Sequence, residues 1–184
     1  DKNFGTKTLN MMKTVSNELI KDCLTMDPIQ TAELMTETNE FYYCPYIYGF
    51  SNYSRKNYRK NILKYIDVMN LSGKGPAGTH LGGTGIAISN VSKNKDLALE
   101  YAFWIASAEC QKSLFYESGG QPGNSVAWED DKINLETSDF FKATRKTLEL
   151  AWVRPRHNGY MEFQDKSGDL INEYLQSSIS AESI

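Results

Sequence analysis

The run Leu81-Gly82-Gly83-Thr84-Gly85-Ile86-Ala87-Ile88-Ser89, with Lys93-Asn94-Lys95-Asp96 behind it, decides how this chain is read. Three glycines within four positions let the backbone come close to another surface and adopt φ values closed to other residues. Ile86-Ala87-Ile88 then predicts a short buried strand. Asn94 or Asp96 is placed to cap a helix in which Leu97, Tyr101, Trp104, Ile105 and Ala108 recur at the helical period. The run is not a dinucleotide-binding fingerprint. The third glycine of G-x-G-x-x-G is missing, and a strand follows where a helix should begin.

Outward from that run, residues 6–24 space Leu9, Met12, Val15, Leu19, Ile20 and Cys23 along one helical face. Asp27-Pro28 starts a second helix, with Asp at the cap and Pro at the first position, where its missing N–H costs nothing. Residues 40–50 are aromatic and β-favouring and predict a strand, as do residues 62–68; the polar, basic stretch 54–61 between them is a loop. Ser72-Gly73-Lys74-Gly75-Pro76-Ala77-Gly78 marks a long loop over 70–80. Helices are expected over about 95–107 and 108–117, through Phe140, Phe141, Thr144 and Leu148, and through Phe163, Ser167, Leu170, Ile171 and Tyr174. Neither a repeat nor a low-complexity tract is present. The pattern predicts an α/β domain whose short sheet comes from 40–50, 62–68 and 85–89, with helices packed over it.

A chain of 184 residues can bury one ordinary core. Its net charge of −3 and isoelectric point near 5.5 argue against a nucleic-acid surface. Arg55, Lys56, Arg59, Lys60 and Lys64 form a local basic cluster, which reads as a solvated turn and edge. Cys23, Cys44 and Cys110 are three in number and lack C-x-x-C spacing, so they cannot all pair within the chain. Cys23 and Cys110 fall on apolar helix faces, where a thiol behaves as a small hydrophobe. With His80 and His157 as its two histidines the chain excludes a His-rich metal site, and neither metal nor cofactor is expected. Catalytic residues are not expected either. A G-x-S-x-G elbow is absent, and Glu129-Asp130-Asp131 reads as a solvated helix start, not as two carboxyls held about 5–9 Å apart across a cleft. No apolar run is long enough to span a membrane.

Four motifs stand in a telling order. They are Tyr43-Cys44-Pro45-Tyr46-Ile47-Tyr48-Gly49-Phe50-Ser51-Asn52-Tyr53-Ser54, the Leu81–Ser89 run, Ser118-Gly119-Gly120-Gln121-Pro122-Gly123, and Val153-Arg154-Pro155-Arg156-His157-Asn158-Gly159-Tyr160. In that order they resemble the extracellular solute-binding proteins of ABC importers, most closely the carbohydrate-type family. The resemblance covers nearly all of residues 27–176. It implies a periplasmic-binding-protein-like α/β fold, mainly the second lobe plus a crossover segment of the first. Residues 1–68 would form a second-lobe segment, 69–120 the crossover, and 121–184 a second-lobe segment again. Family members are roughly twice as long, and the family's opening half has no counterpart here. The expectation is therefore the C-terminal part of a longer two-lobed protein, extracellular or periplasmic and anchored as a lipoprotein. Its implied partners are a small solute, a sugar or oligosaccharide, and the transporter permease, with no nucleic acid. Helices 95–107 and 108–117 would lack their sheet, and self-association would cover them. Two other classes stay open: a carbohydrate-active enzyme domain, and a non-catalytic module with an apolar groove.

A sugar cleft needs rings for the flat C–H faces and planar polar groups for the hydroxyls. The eleven tyrosines supply rings generously. The resemblance places Tyr46, Tyr48 and Tyr160 for stacking, with Tyr53 and Trp152 as further rings. It places Asn52, Gln121 and Arg154 for hydrogen bonds, and the backbone of Gly83 and Thr84 at the hinge. Each has a plainer alternative. The tyrosines can pack in the core, Asn52 can make an Asx-turn, and Arg154 and Arg156 can pair with acidic neighbours.

Overall fold

The computed structural model describes residues 2–70 and 73–184. Its α-helices are α1 (Lys2–Asn17), α2 (Pro28–Glu37), α3 (Lys95–Ala106), α4 (Ala108–Lys112), α5 (Leu114–Glu117), α6 (Ser125–Glu129), α7 (Asp131–Glu136), α8 (Phe140–Glu149) and α9 (Tyr160–Gln176). The chain divides into two compact units, Asp1–Thr31 with Arg154–Ile184, and Ala32–Val153.

In the first unit α1 packs on α9. Tyr174 is buried there, its hydroxyl donating to Asn10 Oδ1 at 3.1 Å. The Lys13 ammonium lies 4.4 Å over the Tyr174 ring and donates to the carbonyls of Tyr174 and Ser177. The face of α9 toward Leu24 is tied by Asn172, whose Nδ2 donates to the Leu24 carbonyl at 3.1 Å. The start of α2 follows from its first residues. Asp27 Oδ1 accepts from Gln30 N at 2.7 Å, and Gln30 Oε1 accepts from Asp27 N at 2.9 Å, a reciprocal cap with Pro28 at the first helical position.

The second unit is built on Tyr116, Ala127, Ile133, Phe140 and Phe141, with Tyr65 and Trp128 packed against them. Phe140 meets Phe141 edge-on at 5.0 Å, and Trp128 meets Phe141 at 5.1 Å, the arrangement that ring quadrupoles favour. Short helices surround this core because polar residues start each one: Ser107 caps α4, Asn124 caps α6 and Asp130 caps α7. The acids at 129–131, expected as one solvated helix start, divide: Glu129 ends α6, Asp130 caps α7 and Asp131 begins it, and Asp130 is further held by Lys112 at 2.9 Å. That ammonium, followed by the Ile133 amide, keeps the Asp130 carboxyl below its ordinary range. Asn134 is buried and joins three elements. Its amide donates to the Trp128 and Asp130 carbonyls at 2.8 and 2.9 Å and accepts from Lys142 N at 3.0 Å.

Two arginines of the basic cluster are held in specific contacts. Arg59 forks onto Glu33 and stacks on Tyr58 at 4.4 Å. Arg55 lies 3.9 Å over the Tyr116 ring and donates to the Tyr116 carbonyl at 3.0 Å. Lys56, Lys60 and Lys64 remain exposed.

The α/β, periplasmic-binding-protein-like fold is not what forms. The structure is 53% helix and 2% strand, with no sheet among the described residues. Its β-pairing there is two isolated bridges, Met69 with Pro76 and His80 with Trp152. The reason lies in the partners each segment finds. Residues 40–50 run irregularly, without a ladder. Residues 62–68 attach to α8 through side chains: Val68 N donates to Thr147 Oγ1 at 2.8 Å, and Thr147 N to Asp67 Oδ1 at 2.7 Å. Residues 85–89 run without a turn, a bend or a strand partner. Aromatic, β-favouring and apolar composition made these segments strand-like, but a strand is stable only with a neighbour to complete its hydrogen bonds. Of the loop expected over 70–80, Leu71 and Ser72 lie outside the described residues.

Candidate functional site

The second unit carries an open aromatic ledge made of Tyr48, His80 and Trp152. Its base is backbone pairing. Trp152 N donates to the Thr79 carbonyl at 2.7 Å, and Leu81 N donates to the Trp152 carbonyl at 2.9 Å. That short parallel register sets the His80 ring 5.5 Å from the Trp152 ring, tilted by 35°. The Tyr48 hydroxyl and His80 Nδ1 are hydrogen-bonded at 2.9 Å, which fixes the tyrosine against the pair. Tyr48 and Trp152 stay 44% and 53% exposed.

Glycine is required on both sides of His80. A Cβ at Gly78 would lie 1.9 Å from the Leu150 carbonyl oxygen, and one at Gly82 would lie 2.8 Å from Tyr48 Cε1. The close approach expected of the glycine-rich run therefore belongs to Gly82. A Cβ at Gly83 or Gly85 would meet nothing within 4 Å.

The other expected site residues fall in three places. Tyr46 is exposed two residues before Tyr48, and Gly83 and Thr84 follow Gly82 on an exposed run. Asn52 and Gln121 come together, but their amides hold backbone. Gln121 Oε1 accepts from Ser51 N at 2.7 Å, Gln121 Nε2 donates to the Gly49 carbonyl at 3.2 Å, and Asn52 Nδ2 donates to the Gly119 carbonyl at 3.0 Å. These bonds staple residues 49–52 to residues 119–121. Arg154 and Tyr160 belong to the first unit. There Arg154 donates to Gln164 Oε1 at 3.4 Å, and Tyr160 sits at the start of α9 with its ring 6.1 Å from Phe163.

His80 was not among the expected site residues, and Trp152 entered only as a further ring. Gly78 and Gly82 flanking His80 were the available signal, since paired glycines around one ring mark two close approaches. Among the described residues no cluster of His, Cys, Asp and Glu could hold a metal, and no helix is long and apolar enough to cross a membrane. Two tyrosines of the second unit's core hold their protons unusually tightly. Burial pushes Tyr65 up to about 12, and burial with the Glu136 hydrogen bond does the same to Tyr116. Both stay neutral at physiological pH and serve as packing groups.

No family model and no solved structure matches this chain.

Proposed function

We propose that this chain binds a small carbohydrate-like solute on the Tyr48–His80–Trp152 ledge, as the substrate-binding component of an ABC importer outside the cytoplasmic membrane. The observation that carries the reading is a pair of half-exposed rings, Tyr48 and Trp152, pinned through His80 in a fixed relation. Rings held this way stack on a pyranose C–H face without losing rotamer freedom on binding, so little ordering entropy opposes the contact. Tyr46, exposed on the same stretch, extends the apolar surface. The order of the four motifs supports the assignment to the transport class, in which the permease is the protein partner. The chain acts by binding and performs no turnover.

Tryptophan fluorescence and calorimetry with glucose, cellobiose and maltotriose test this. Saturable binding by at least one of them is expected. Trp152→Ala or Tyr48→Ala should weaken it about ten-fold, the equivalent of about 1.4 kcal/mol. Tyr101→Phe, on α3, should leave it unchanged. Hydrolysis of a glycoside would favour the carbohydrate-active enzyme instead, and binding that ignores both ledge substitutions would remove the ledge from the reading.

A further inference from the structure

Asn158-Gly159 is the single Asn-Gly pair in the sequence, and the ledge makes no use of it. It lies in the turn that leads from Arg154-Pro155-Arg156-His157 into α9. Both residues are exposed, and Gly159 takes a left-handed φ of 89° with open space where a Cβ would stand. Neither the Asn158 side-chain amide nor the Gly159 N–H makes a hydrogen bond among the described residues. An electrophilic amide carbon and an unbonded backbone nitrogen thus sit side by side, with no side chain on glycine to keep them apart.

The peptide bond between them is polarised by a neighbour. His157 Nδ1 lies 3.0 Å from the Asn158 backbone oxygen, and since a carbonyl only accepts, the ring nitrogen donates. The ring itself meets Tyr160 edge-on at 5.8 Å. When the Gly159 N–H gives up its proton, the negative charge is shared between that nitrogen and the Asn158 oxygen. A donor already aimed at the oxygen stabilises charge where it develops. Other asparagines are placed differently. The Asn52, Asn124 and Asn134 amides are bound to backbone carbonyls. Asn57, Asn90 and Asn94 are exposed, but Tyr58, Val91 and Lys95 follow them and crowd the attacking nitrogen.

We infer that Asn158-Gly159 is a site of spontaneous succinimide formation, through which Asn158 becomes aspartate and isoaspartate. Hydroxide removes the Gly159 N–H proton, and the nitrogen attacks Asn158 Cγ. The new N–Cγ bond closes the ring, the Cγ–Nδ2 bond breaks, and ammonia leaves after taking a proton from water. Water then opens the imide. Cleavage of the N–Cγ bond restores the ordinary backbone with aspartate at 158. Cleavage between that nitrogen and the backbone carbonyl carbon routes the main chain through Cβ and Cγ, which is isoaspartate. One ammonia is lost for one water gained, and nothing is oxidised or reduced. Either product makes the chain one charge more negative than its original −3. The new carboxylate enters at the positive end of the α9 dipole, where negative charge is favourable, so the helix is retained. This reaction does not depend on solute binding, and either can fail without the other.

Incubation of the whole chain at neutral pH, followed by peptide mapping, tests it. The Asn158 peptide should gain about 1 Da and split into aspartate and isoaspartate forms. The isoaspartate form should accept a labelled methyl group from S-adenosylmethionine in the presence of an isoaspartyl methyltransferase. Peptides holding Asn57, Asn90 and Asn94 should stay unchanged over the same time. His157→Ala should slow the conversion at least about three-fold in the folded chain, the rate equivalent of one net hydrogen bond. In the urea-unfolded chain the same substitution should leave the rate unchanged, which separates the His157 bond from the Asn-Gly sequence itself. An Asn158 peptide that keeps its mass overturns the inference. So does conversion spread evenly over the asparagines, or a folded His157→Ala chain that converts as fast as the parent.

Discussion

Gly78→Ala strikes the ledge at its tightest point. The added Cβ would lie 1.9 Å from the Leu150 carbonyl oxygen and 2.6 Å from its carbon, both backbone atoms that no rotamer change can move aside. Carbon and oxygen settle no closer than about 3.3 Å, so the 77–81 and 150–152 segments must part by about 1.4 Å. The bonds that join them, Trp152 N to Thr79 O at 2.7 Å and Leu81 N to Trp152 O at 2.9 Å, would stretch to about 4 Å and cease to be hydrogen bonds. Each is worth about 0.5–1.5 kcal/mol net, more where the freed group is cut off from water. The expected loss is therefore about 1–3 kcal/mol. Losing the register should also separate His80 from Trp152 and lower solute affinity alongside stability. Urea unfolding followed by far-UV dichroism and tryptophan fluorescence reads the first effect, and calorimetry the second. Gly83→Ala and Gly85→Ala are the controls. Their Cβ atoms would have open space, and stability should move by less than about 0.5 kcal/mol. If Gly78→Ala unfolds at the same urea concentration as these controls, the backbone pairing does not hold the ledge and the reasoning fails.

Asn134→Ala should destabilise the second unit by about 2–4 kcal/mol, since it leaves the buried Trp128 carbonyl and the Lys142 amide without their partner; a shift in urea midpoint measures it. At high pH, Tyr53, Tyr65 and Tyr116 are pushed up to about 12, in each case first by burial. An unfolded tyrosine ionises near 10, so stability is intact below about pH 10 and is lost as pH rises toward 12. Absorbance at 295 nm should show three late-titrating phenols, and Tyr116→Phe should remove one and about 2 kcal/mol of the alkaline loss. At low pH the sign reverses. Hydrogen bonds from Arg59 and then Tyr53 hold Glu33 below its ordinary range, and Lys112 with the Ile133 amide does this for Asp130. Their contribution is present above about pH 4.5 and is lost as pH falls through the lowered values. Arg59→Gln should flatten the acid limb of the stability profile.

Helix starts were legible in the sequence because their signals are local. Asp27-Pro28 followed by Gln30 is a complete capping unit, and the structure closes both of its hydrogen bonds. Asp130 needed only an amide three residues on. The sheet was misread because β-favouring composition states which residues suit a strand and says nothing of what lies beside them. Residues 62–68 found Thr147 of α8, while residues 85–89 found no strand partner among the described residues. The same limit governs the site. Gln121 was placed by the resemblance for hydrogen bonding, and its amide bonds the backbone of Ser51 and Gly49. Tyr48 was placed by its own stretch, but its partners come from residues 80 and 152, over thirty and a hundred positions away. Long-range neighbours of this kind leave one local trace, a glycine where a side chain would collide. Gly78 and Gly82 carried that trace on either side of His80.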